Sequence, residues 1–231
     1  MKRFYKDVST ARVDGGWQVQ LDGRGLKTQG GGQQIVPTEA AAQLLAGEWA
    51  AQGEKIDPKS FVFRDLADLA LDSVASDRAA TVAKLLAYAE TDTLCYRAEP
   101  GEALFERQDA LWEPLVAACE ERHAARFERI SGIIHRAQPE ATMAALRIRL
   151  ERESDFTLAA LLTLASLAAS LITALAVIEH EAEAERLFTA ANAEEDWQAE
   201  LWGSDFEAEK VRALRLEAFL RAAEFAAAVR G

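Results

Sequence analysis

The sequence is poor in the residues that build disulfides and metal sites. Its 231 residues include two cysteines, Cys95 and Cys119, and three histidines, His123, His135 and His180. The cysteines do not form a metal-type spacing, and no HExxH pattern joins the histidines. We therefore expect no disulfide, no bound metal and a reducing compartment.

Positive charge is also scarce. The chain has 26 Lys and Arg against 38 Asp and Glu, which gives a net charge of −12. Binding to phosphates requires clustered basic side chains, so we expect no nucleic-acid partner. An anionic membrane surface is disfavoured for the same reason. We interpret the acidity mainly as a solubilising surface, which can also steer a basic or apolar partner.

Recognisable catalytic patterns are missing as well. There is no GxSxG elbow, and the glycine run at 30–32 lacks the Lys of a phosphate-binding loop. Arg97 lies close enough in sequence to Cys95 to lower the pKa of its thiol, but burial as a small packing residue is the favoured interpretation. We predict no catalytic residue and no cofactor. A small-molecule enzyme with a site between two domains is the alternative.

Neither a secretory leader nor a clear membrane span is present. The start, MKRFYKDVST, has no apolar stretch after its basic residues, so we expect a cytoplasmic protein. Residues 156–178 carry no charge and are long enough to cross a bilayer. Because hydroxyl residues dilute this stretch and its flanks are acidic, we predict a core helix and no membrane insertion.

Apolar spacing divides the chain into two regions. Trp17, Val19 and Leu21 alternate with polar residues, which predicts a strand, and Asp22-Gly23 predicts a hairpin turn. From Pro37 the spacing is helical, with Pro37-Thr38-Glu39 as a helix start, and Gly203 is expected to end the helix that passes through Trp197. We predict an α+β chain with a small β-rich N-terminal domain, residues 1–70, and a larger all-helical C-terminal domain, residues 71–231. The boundary is expected between 57 and 78.

Three local predictions concern the second region and the residues just before it. Residues 59–63 are expected to be extended, and a long helix from 102 to about 128 is expected to break near Pro114. The last helix has an apolar stripe that should face the core, with charged residues outside. Its members are Val211, Leu214, Ala218, Ala222, Phe225 and Val229.

A short segment near the C-terminus combines tryptophan with acid. The sequence WQAELWG at 197–203 lies between acidic groups at 194–196 and 205–209. Tryptophan flanked by charge can anchor a partner. Alternatively, both indoles close the helical core and the acids form a solvated face; composition alone favours this second interpretation.

Several segments, taken together, resemble the ATP-twelve family of ATP synthase assembly chaperones, found in mitochondria and related bacteria. They occur in family order over nearly the whole chain: RFYKDV at 3–8, LDGRGLKT at 21–28, EWAAQ at 48–52, TDTLCYR at 91–97 and WQAELWGSDFEA at 197–208. The sequence departs from the family pattern at Gln29 and the following glycines, which suggests a looser hairpin there.

The resemblance implies a β-rich domain followed by a helical one, and a function without catalysis. Proteins of this kind bind the free α subunit of the F(1) sector and shield its apolar interface until a β subunit joins. Such permanent interfaces are large and apolar, so they aggregate when bare. We expect a chain that is monomeric when free, with eukaryotic relatives in the mitochondrial matrix. Trp49 and Trp112 are assigned to packing, and the candidate partner-binding residues are Glu195, Trp197, Glu200 and Trp202.

Overall fold

A computed structural model describes residues 1–132, 134–180, 183–203 and 205–231. Within these residues a small N-terminal sheet is followed by a mostly helical chain, which confirms the predicted α+β class. The helical part also contains one short parallel strand pair, in which residues 130–131 fall within a stretch, 130–135, whose sequence is typical of a short strand or a linker.

Two compact units make up the chain, and neither is one continuous stretch. The first unit consists of Met1–Arg78, Ser154–Ala160 and Glu224–Gly231, and the second of Ala79–Glu153 and Leu161–Ala223. The domain boundary at 57–78 stays a prediction.

The sheet of the first unit is built on a hairpin. Strands β1 (Val8–Val13) and β2 (Gly16–Leu21) pair antiparallel, and β2 also pairs with β3 (Arg24–Gly25) and β4 (Ile35–Val36). Val19 and Leu21 are buried, as their alternation predicts.

Two helices of the first unit begin at identifiable caps. Helix α1 (Glu39–Ala50) follows Thr38, whose Oγ1 accepts a hydrogen bond from Ala41 N. Helix α2 (Val62–Asp68) begins where the Glu48 carboxylate accepts hydrogen bonds from the amides of residues 63 and 64. The extended segment predicted at 59–63 is therefore wrong, because Glu48 satisfies the first amides of a helix at this point.

The loop after β3 is held in place by two aspartates. Asp68 accepts hydrogen bonds from Gln29 N and Gln34 Nε2, at 3.1 and 2.6 Å. Asp72 accepts one from Gly30 N at 2.8 Å. A Cβ atom at Gly30 would lie 2.7 Å from the Asp72 carboxylate, so glycine permits this close approach. The looser hairpin suggested by the glycine run is therefore not what the structure shows.

The long helix of the second unit is unbroken. Helix α4 runs over Ala103–His123 with Pro114 inside it, so the predicted break is wrong. Proline removes only one amide from the helix, and burial of Trp112 and Val116 on either side keeps the helix continuous. The same unit contains α5 (Glu140–Glu151) and the strands β5 (Tyr96–Arg97) and β6 (Ile130–Ser131); helix α3 (Arg78–Glu90) precedes them.

The uncharged stretch at 156–178 forms two helices, α6 (Asp155–Ala168) and α7 (Leu171–Glu179). Ala169 has a left-handed backbone with φ of 49°, and the Ser170 hydroxyl accepts a hydrogen bond from Thr173 N to begin α7. Most of its leucines and alanines are buried, as expected for core helices. Among the described residues, no helix has the length and apolarity that crossing a bilayer requires.

Three helices complete the chain: α8 (Ala184–Ala191), α9 (Ala193–Trp202) and α10 (Phe206–Arg230). Helix α9 ends at Gly203, which has φ of 81°, as the sequence predicts. The C-terminal part of the α10 stripe is buried at Ala222, Phe225 and Val229. Its N-terminal part is not.

Candidate partner-binding surface

The family-like segments at 3–8 and 48–52 are used by the fold itself. The Tyr5 hydroxyl donates to the Trp49 carbonyl at 2.6 Å, and Arg3 Nη1 donates to the Gln52 carbonyl at 2.7 Å. Trp49 is buried and its ring contacts Phe61, with centroids 4.5 Å apart. These segments therefore tie the beginning of the chain to α1.

The central segments are also structural. Arg97, whose side chain is 4% exposed, donates to Asp109 at 2.6 Å and to Glu113 at 2.8 Å. Two carboxylates thus balance a buried guanidinium, as a buried charge requires. Trp112 is fully buried, and its Nε1 donates to the Ala190 carbonyl at 2.6 Å. Burial of Trp49 and Trp112 confirms their predicted packing.

The most strongly buried carboxyl has partners in the backbone. Burial raises the pKa of Asp92 to about 6. Its two oxygens accept hydrogen bonds from Leu94 N and Ile172 N, so it joins the turn after α3 to the beginning of α7. A raised carboxyl pKa can indicate an acid catalyst. Asp92 has no exposed surface, however, and its bonds indicate a structural role.

Helices α4, α7 and α8 line a cavity of about 820 Å³ within the second unit. Burial raises the pKa of the Cys119 thiol to about 12, so this lining residue stays protonated at neutral pH. Burial also raises the pKa of Glu179, but His123 and Arg122 lower it by more, and the net direction is down. Neither group is poised for nucleophilic or acid catalysis. Over the described ranges, no group of three potential metal ligands comes together.

Helix α9 is attached to α4 through its acidic side. Arg107 of α4 donates to both oxygens of Glu200, at 2.6 and 2.8 Å. The same guanidinium lies 5.7 Å from the centre of the Trp197 ring. Trp197 is half-buried, so the structure uses both of these predicted candidates to position α9.

Two arginines of α10 pair with the first turn of α9. Arg215 Nη1 lies 3.0 Å from Glu195 Oε2, and Arg212 forms a two-pronged ion pair with Asp196. The predicted candidate Glu195 therefore has a partner within the chain. It remains partly exposed, as does Arg215.

The apolar residues beside these ion pairs are exposed. Trp202 is 78% exposed and Phe206 is 76% exposed, and three further large apolar residues are each more than half exposed. We call this set the apolar α9–α10 surface: Leu201, Trp202, Phe206, Val211 and Leu214.

The prediction that the whole α10 stripe faces the core is thus wrong for Val211 and Leu214. Helix α10 continues beyond the buried part of its stripe, and in its first turns Val211 and Leu214 are more than half exposed although Arg212 and Arg215 pair with α9. Sequence reasoning identified Trp202 but missed Phe206, Val211 and Leu214 as surface residues. The available signal was the density of acidic residues around Phe206, which is unusual next to a core face.

Comparison with known proteins gives the family. The family model described as "ATP12 chaperone protein" matches residues 2–120. The chain belongs to this family. Membership confirms the resemblance inferred from the sequence segments and the assembly-chaperone role predicted with it.

Solved structures and a curated relative agree. Atp12 from Paracoccus denitrificans is 36% identical with a TM-score of 0.93, over 99% of this chain and 98% of that one. The Atu1473 protein of Agrobacterium tumefaciens is 39% identical with a TM-score of 0.93, over 100% of this chain and 86% of that one. The mitochondrial protein atp12 of Schizosaccharomyces pombe is 26% identical over 215 residues, 88% of this chain and 74% of its relative.

Proposed function

We propose that this ATP12-family chaperone acts in assembly of the F(1) sector of ATP synthase by binding the free α subunit. It covers the apolar interface of that subunit and is displaced when a β subunit joins. The observation that carries the proposal is the apolar α9–α10 surface, which lies in and just after the WQAELWG segment. Among the family-like segments, the one at 3–8 also exposes an aromatic side chain, Phe4 at 62%, but this one presents a tryptophan, Trp202 at 78%, with further exposed apolar residues close after it in sequence.

The four candidate residues have different parts in this proposal. Trp202 contacts the client directly, because its indole is exposed. Trp197, Glu200 and Glu195 hold α9 in the orientation that presents Trp202, through Arg107 and Arg215. Glu195 and Glu200 also add negative charge near the contact.

Holding a client requires no bond to be made or broken, so we propose a protein without catalysis, cofactor or metal. The protonated Cys119 and the backbone-bonded Asp92 agree with this proposal. We also propose that it works in the cytoplasm of a bacterium, because the two solved structures reported above come from bacteria.

Co-expression with the α subunit of the same organism tests the proposal. We expect α to become more soluble and to co-purify with this chain, and addition of β to displace the chaperone. A control expression replaces the chaperone with an unrelated acidic protein of similar size. If α is equally soluble in the control, or if this chain turns over a small molecule, the proposed function is wrong.

A further inference from the structure

The apolar stripe of α10 passes from the core onto the surface without interruption. Val211 and Leu214 share one helix face with Ala222 and Phe225, because Ala218 completes a series whose consecutive members lie three or four residues apart. The last two are buried, whereas Val211 is 53% exposed and Leu214 is 58% exposed. Trp202 and Phe206, just before them in sequence, are exposed as well, and large exposed apolar residues of this kind mark an interaction site.

The segment that carries these apolar residues is rich in negative charge. Residues 194–217 include eight acidic and three basic side chains. Two of the basic ones, Arg212 and Arg215, are paired with acids of α9. The segment therefore keeps exposed acids on both sides of the turn, Glu194 before it and Asp205 and Glu207 after it, and we call these acids the acidic rim.

We propose that the apolar α9–α10 surface takes one amphipathic segment of the client, with lysine or arginine on either side of its apolar residues. This inference rests on the proposed function, because it describes the face that the client uses. Apolar side chains of the segment contact Trp202, Phe206 and Leu214. The flanking cations face the acidic rim, which gives the orientation and a faster encounter.

Charge repulsion also disfavours two other occupants of the apolar α9–α10 surface. A second copy of this chain, related by a two-fold axis, would place one acidic rim against the other. An anionic membrane surface would be repelled in the same way. A segment whose apolar residues are flanked by basic ones complements both the apolar α9–α10 surface and the acidic rim.

Two synthetic peptides test the charge preference. Both have the same leucine face on an amphipathic helix; one carries lysines at its ends and the other carries glutamates. Fluorescence anisotropy with the full chain should show the lysine peptide binding about tenfold or more tightly than the glutamate peptide at low salt. Added salt should reduce the difference, because it screens exposed charges. Equal binding of the two peptides would overturn the inference.

Matched substitutions test the location. The double variant Trp202→Ala, Phe206→Ala should weaken binding of the lysine peptide by about tenfold or more, as loss of central aromatic contacts does. Leu214→Ala should weaken it severalfold, whereas Ile148→Ala on α5, at 53% exposure, should leave it unchanged. Because all these side chains are largely exposed, thermal unfolding should stay near that of the wild type. Unchanged binding by the double variant would show that the surface lies elsewhere.

Peptide binding by the unchanged chain, compared with its co-expression with α, separates the two proposals. If the lysine peptide fails to bind but α is still held soluble, this inference is wrong and the proposed function stands. If the peptide binds as expected but α is not retained, the surface is correct and the proposed client is wrong.

Discussion

At the scale of single residues, close contacts restrict substitution at positions that look tolerant of it in the sequence. The run at 30–32 reads as a flexible tip, yet Gly30 N donates to Asp72 and a side chain at Gly30 would meet that carboxylate. Gly32 has more room, since a Cβ there would lie 3.5 Å from the Thr28 hydroxyl. Two glycines of the same run therefore differ in which substitutions they permit.

Gly30→Ala should lower the free energy of unfolding by about 1–3 kcal/mol, because the added methyl group forces the loop and the Asp72 carboxylate apart. Urea denaturation of the intact chain measures this change. Gly32→Ala is the matched control and should change the free energy by less than about 0.5 kcal/mol. Equal losses in both variants would mean that the general flexibility of glycine, and not the Asp72 contact, decides the cost.

At the scale of elements, α9 is held by charge more than by burial. Only Ala193 is buried within α9. Arg107 contacts it from α4, and two arginines reach it from α10. With α9 held in this way, the indole of Trp202 lies outside the core and is exposed to solvent. Exposed pairs of this kind contribute little stability, so their main effect is orientation.

Glu195→Lys should therefore weaken binding of the α subunit while lowering stability by less than about 1 kcal/mol, because it replaces one exposed ion pair with repulsion from Arg215. Trp197→Ala should reduce both binding and stability, since its half-buried ring lies beside Arg107. Pull-down of α and thermal unfolding measure the two effects. Glu121→Lys on α4 makes the same change in net charge and serves as control. Normal binding by the Glu195 variant would place the partner surface elsewhere.

At the scale of the whole molecule, acidity opposes self-association. The net charge of −12 is distributed over 25.3 kDa, and the acidic rim lies in the same segment as the apolar α9–α10 surface. Like charges repel across a symmetric interface, so an exposed apolar region need not lead to a dimer.

We accordingly predict that the free chain is a monomer. Size-exclusion chromatography with light scattering should give a mass close to 25.3 kDa. High salt should permit more association than low salt, because it screens the repulsion. A stable dimer at low salt would contradict the prediction.

The sequence by itself determined the fold class, the family and the caps of several helices, because these depend on local periodicity and on short segments read in order. Thr38, Gly203 and the alternation around Val19 are of this kind. Only the tertiary structure decided that α4 continues through Pro114, that residues 156–178 form two helices and that the α10 stripe leaves the core. Those outcomes depend on tertiary packing: burial around Trp112, the hydrogen bond that Ile172 N at the beginning of α7 donates to Asp92, and the large exposed fractions of Val211 and Leu214. Helical spacing shows which residues share a face, but packing alone decides whether that face is covered.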